Sequence, residues 1–201
     1  MPTTRPMQRA DFPVVLDACV LAHYGLCDLF LRLAETPRLY VPRWSRQILD
    51  ETQRAQQERL KPPWPKDRSD RWRSALETNF PDALVTGHEP LETSVANDPG
   101  DRHVLAAAVR ARAAIIVTFN LRHFPRAALE PWGIAASHPG DYLVTLYEID
   151  PGIVMRRLTD IARHRNRPPE QVLARLGKTV PAFAEHVAQA VGWELPGPPA
   201  P

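Results

Sequence analysis

Short apolar runs alternate with longer stretches of helical spacing through the first three quarters of the chain. "FPVVLD" (12–17) is an apolar run closed by an acid and predicts a buried strand. "AHYGLCDLFLRLAE" places Leu26, Leu29, Phe30 and Leu33 on one helical face, and "RLYVP" (38–42) predicts a second strand. In "RWSRQILDETQRAQQERL" Ser45 is the expected N-cap, with Trp44 and Leu49 as a hydrophobic staple around it. "PPWP" (62–65) ends that helix, and another runs from about Ser69 to Phe80. "DALVTG" predicts an edge strand, a helix follows over about 99–112, and "AAIIVTFN" (113–120) is the second clear buried strand.

The later pattern changes character. "LRHFPRAALEPWG" reads as a turn and a short helix, "IAASHP" as a short strand and loop, and from Tyr142 the spacing is helical almost to the end. Asp150-Pro151 and Pro168-Pro169 mark helix starts, and residues 182–191 predict a last helix. Strands alternating with helices predict an α/β fold of three α/β/α layers around a mostly parallel sheet, plus a helical C-terminal extension. The expected division is 1–10 disordered, 11–150 the α/β domain, 151–194 the extension and 195–201 a flexible tail.

Composition adds only a few constraints. The 201 residues suit one domain able to bury a real core. No apolar run approaches the ~18–20 residues that span a bilayer, and "MPTTRPMQRADFP" lacks a signal peptide's apolar segment. The expectation is a cytoplasmic protein whose Cys19 and Cys27 stay reduced, since two cysteines eight apart suit neither a disulfide framework nor a zinc site. A net charge of +2 demands no polyanionic partner. Arg156, Arg157, Arg163, Arg165 and Arg167 with His164 form a basic stretch that reads as a solvated helix face, the sharper alternative being an RNA-backbone surface.

Chemistry gathers at the ends of the strands. In a parallel sheet, ligands collect beyond the carboxyl ends of the strands, and the two clearest strands finish at Asp17 and Asn120. Taken singly, each acid has an ordinary explanation: Asp17 starts a turn, Glu51 borders a buried stripe, and Asp98 before Pro99 caps a helix. Asp101 in the first turn also suits the helix dipole. Their combination in one α/β chain without a Gly-rich phosphate loop points elsewhere. Clustered carboxylates stay ionised with a cation between them, and oxygen donors favour Mg²⁺ or Mn²⁺. Such sites hydrolyse phosphodiesters with metal-activated water. His103, two residues after Asp101, points to the other side of the helix and reads as structural, while His138 before Pro139 reads as a loop residue.

Four segments in order resemble the PIN-domain family of VapC-type toxin ribonucleases: "VVLDACVL", "VPRWSRQILDE", "DPGDRHVLAAAV" and "IIVTFNLRHFP". The resemblance covers about residues 12–150. It implies Asp17, Glu51 and Asp101 as catalytic acids around Mg²⁺ or Mn²⁺, with Thr118 and Asn120 supporting. Where the family commonly has Thr-x-Asp, this chain has Thr118-Phe119-Asn120, so one charge is missing. Asp98 could restore it as a further metal ligand, or act only as a cap, or do both. The resemblance also implies an RNA substrate, a cognate antitoxin and a homodimer. A non-catalytic RNA-binding or scaffold domain with a degraded site is the rival reading, and a flap-type DNA nuclease stays open. A haloacid-type phosphatase would need an acid at Cys19, and a dinucleotide enzyme a Gly-rich turn after the first strand.

Overall fold

The computed structural model describes residues 12–195. The expectations for residues 1–10 and for the tail beyond Leu195 therefore lie outside the described residues. Five strands form one sheet: β1 (Pro13–Leu16), β2 (Val41–Ser45), β3 (Leu84–Val85), β4 (Ile115–Val117) and β5 (Ala135–Ser137). Every pairing is parallel, in the order β3-β2-β1-β4-β5. β1 is central, with Val14, Val15 and Leu16 buried, as a parallel strand covered on both faces requires. The chain builds outward on one side of β1 and then on the other, so the crevice-forming switch point lies between β1 and β4.

The helices follow the sequence pattern with local shifts. The segment after β1 divides into α1 (Ala18–Leu21) and α2 (Tyr24–Ala34), the latter burying Leu26, Leu29, Phe30 and Leu33. The second strand starts three residues later than predicted: Leu39 and Tyr40 are buried, but the strand register begins where Val41 faces Pro13. α3 (Arg46–Glu58) starts at the predicted cap, where Ser45 Oγ accepts from the Ile48 N–H at 3.2 Å. α4 is Lys66–Asn79, and β3 is the edge strand the sequence predicted.

The stretch predicted as one helix over 99–112 is a single 3₁₀ turn, Pro99–Asp101, followed by α5 (Arg102–Ala111). Ala106, Ala107 and Ala108 are fully buried, and their small side chains let α5 lie close across β1, β2 and β4. α6 is Arg126–Leu129, and then α7 (Pro139–Ile149), α8 (Pro151–His164), α9 (Pro169–Gly177) and α10 (Pro181–Val191) complete the chain. Asp150 Oδ1 caps α8 through the Ile153 N–H at 2.8 Å. α8 packs on α2, and α10 on α7 and α9, so one apolar core runs from the sheet into these helices. Part of the basic stretch is engaged internally: Arg165 pairs with Asp28 at 2.7 Å, and Arg157 donates to the Glu35 and Thr36 carbonyls. No helix among the described residues is long and apolar enough to cross a membrane.

Candidate metal centre

β1 and β4 end in step, with Leu16 opposite Val117. The next residue on each strand, Asp17 and Thr118, therefore emerges at the same level. The Thr118 hydroxyl donates to Asp17 Oδ2 at 2.6 Å, and the Ala18 N–H donates to Asp17 Oδ1 at 2.6 Å, capping α1. Asp17 thus does cap a helix, as its plainest explanation required, while its carboxylate lies at the switch point. Asn120 stands one step farther out. Its N–H donates to Thr118 Oγ1 at 3.0 Å, and its carbonyl accepts from the His123 N–H at 2.9 Å.

Cys19 also belongs to this network, although the sequence suggested only a buried, reduced thiol. Its Sγ donates to Asp17 Oδ2 at 3.1 Å and accepts from the Phe119 N–H at 3.3 Å. Burial, with the charge of Asp17 behind it, pushes the Cys19 thiol up to about 12. It is therefore a protonated donor to Asp17 at neutral pH and no nucleophile. The signal was its position two residues after Asp17.

Asp17 itself is only 3% exposed. Burial raises its carboxyl above the ordinary range, and the charge of Asp101 adds to the rise. Hydrogen bonds from Thr118, Cys19 and Ala18 act in the opposite direction without cancelling it.

Asp98 and Asp101 have different local roles. Asp98 Oδ1 accepts from the Gly100 N–H at 3.0 Å and caps the 3₁₀ turn. Asp101 occupies the N-cap position of α5, yet its side chain makes no cap hydrogen bond. Instead Asp101 Oδ2 lies 2.5 Å from His123 Nδ1. The backbone ties these residues together: the Asp98 N–H donates to the His123 carbonyl at 3.2 Å, and the Asp101 N–H to the Asp98 carbonyl at 3.0 Å. Asp98, Asp101 and His123 bring potential donor atoms within 4.8 Å of one another. His123 is the residue the sequence reading passed over; its signal was its place three residues after Asn120.

Glu51 approaches from α3 and is half-buried. His103 Nε2 lies 3.1 Å from Glu51 Oε1, although neither ring nitrogen makes an aligned hydrogen bond. Burial pushes the Glu51 carboxyl up, but His103, Gln47 and Arg54 together outweigh it and leave the group below its ordinary value. His103 is buried, as expected of a structural residue, but its ring lies against a candidate acid. Among the described residues, the group of donors lying within 4.8 Å of one another is Asp98, Asp101 and His123, and it includes neither Glu51 nor Asp17.

The donors are carboxylate oxygens with a neighbouring imidazole, and the charge of Asp101 disfavours that of Asp17. A hard divalent cation fits that donor set, because it would offset both the burial that chiefly raises Asp17 and the smaller contribution of the Asp101 charge. The model of the PIN domain matches residues 13–122, more than half of the chain. The chain belongs to the PIN-domain family. A Mycobacterium tuberculosis protein with the name "Putative ribonuclease VapC50" is 41% identical over 133 residues, which is 63% of this chain and 73% of that protein. No solved structure gives a significant match. The PIN-domain match encloses Asp17, Glu51, Asp98, Asp101, Thr118 and Asn120, and stops one residue short of His123.

Proposed function

We propose that this PIN-domain protein is a metal-dependent endoribonuclease and the toxin of a toxin–antitoxin pair. The observation that carries the reading is the pairing of Asp17 and Thr118 at the β1–β4 switch point, within reach of the charge of Asp101. The similarity to a protein named as a ribonuclease supports RNA as the substrate class. Asp17, Glu51 and Asp101 are the proposed catalytic acids, and with Asp98 they would hold Mg²⁺ or Mn²⁺. When bound, such an ion activates water and stabilises charge on the phosphate and the leaving oxygen. Thr118 fixes the Asp17 carboxylate by donating to Oδ2, and Asn120 supports Thr118 through its N–H. A cognate antitoxin and a homodimer, in the cytoplasm, complete the proposal.

The test is RNA cleavage by the purified protein with Mg²⁺ or Mn²⁺, with EDTA, and in folded Asp17→Ala and Asp101→Ala variants. Cleavage is expected to need the ion and to fall by at least about a hundredfold in each variant, the scale of losing one charge-stabilising group. A second reading has its own observation, the neutral Asn120 where the family commonly carries an acid. RNA binding without calorimetric Mn²⁺ binding would favour that non-catalytic domain and sink the nuclease.

A further inference from the structure

We infer that Arg122 and His123 form a positioning device for the metal centre, in which His123 orients Asp101 through Nδ1–H and is not itself a ligand. The inference rests on the metal-dependent reading above and goes beyond it by giving His123 a defined role.

The two nitrogens of the ring are fixed by partners of opposite kinds. Asp101 as a carboxylate can only accept, so the 2.5 Å contact to His123 Nδ1 requires a proton on that nitrogen. Arg122 can only donate, and its Nε lies 3.1 Å from His123 Nε2, which must therefore present a lone pair. Both contacts select the same arrangement, with the proton on Nδ1 and the lone pair on Nε2. In that tautomer Nδ1 has no lone pair for a cation, and the lone pair of Nε2 is already engaged. The ring therefore holds one oxygen of Asp101, while Oδ1 accepts no hydrogen bond among the described residues and stays available as a ligand. The backbone bonds from Asp98 to His123 and from His123 to Asn120 fix the ring at this place.

The experiment compares Mn²⁺ binding by calorimetry in the wild type, His123→Ala, His123→Asn and Arg122→Ala, together with electron spin-echo spectra of the Mn²⁺-loaded proteins. His123→Ala is expected to bind Mn²⁺ about 10–100-fold more weakly, the usual effect of losing a group that orients a ligand. His123→Asn keeps an N–H donor near the Nδ1 position and is expected to recover most of the affinity. Arg122→Ala, which frees the tautomer, gives a smaller loss. The wild-type spectrum is expected to show no nitrogen coordination that disappears in His123→Ala. Such a signal would make His123 a ligand and overturn the inference, as would unchanged affinity in His123→Ala. Absence of Mn²⁺ binding in the wild type would instead bring down the metal-dependent reading itself, and this inference with it.

Discussion

Asp17, proposed above as a catalytic acid, occupies its position at a cost to the fold. Its raised carboxyl means that the folded chain holds that proton more tightly than the unfolded chain does. Its contribution to stability is complete below the ordinary value of 3.8 and is lost as pH rises through the raised value. At neutral pH, without metal, ionised Asp17 is a net burden. Asp17→Asn keeps the size and the capping oxygen but has no such titration. In EDTA it is expected to melt a few degrees above the wild type at about pH 7, with the gap closing towards about pH 4. A gap that ignores pH would show that burial of the charge is not its source. Asp17 was legible in the sequence because a strand ending in an acid is a simple pattern. His123 was not, because its relation to Asp101 depends on two turns meeting across 22 residues of sequence.

At the level of elements, the site depends on how three helices begin. α1 begins on Asp17, α3 on Ser45 and α5 on the turn capped by Asp98. Ser45 is fully buried, and its hydroxyl satisfies one of the N–H groups that the start of α3 leaves free. Ser45→Ala is expected to cost about 1 kcal/mol in urea unfolding, the usual effect of a lost cap. If the proposed function holds, it should also weaken cleavage, because α3 carries the proposed acid Glu51. A variant with unchanged stability would show that the cap is dispensable to the helix. The cap and the α3 pattern were plain in the sequence, since both are local. The start of β2 and the 3₁₀ turn before α5 were not. Pairing with β1 sets the strand register, and the bonds to His123 hold the turn.

For the whole molecule, the continuity of the core matters most. Phe183 on α10 is fully buried in the same apolar cluster as Val15 and Trp44 of the sheet. Phe183→Ala is expected to cost about 3–5 kcal/mol. Tryptophan fluorescence and far-ultraviolet circular dichroism should move together in urea, as they do in a cooperative transition. Separate transitions would mean that the C-terminal helices unfold independently of the sheet. The sequence read these helices as an extension because the spacing from Tyr142 is helical almost to the end. Helical spacing says that a face is apolar, but it does not say which surface covers it.

The sequence by itself determined the alternation of strands and helices, the capped starts of α3 and α8, and the strand-end position of Asp17. These follow from side-chain periodicity and from bonds within a few residues, so neighbouring letters suffice to encode them. The tertiary structure decided the rest. It made Thr118 the partner of Asp17, because β1 and β4 end at the same level. It turned Asp101 away from capping and towards His123, and it set His103 against Glu51. Each of those outcomes is a distance between segments remote in the chain, set by sheet register and helix packing, and no local pattern carries that information.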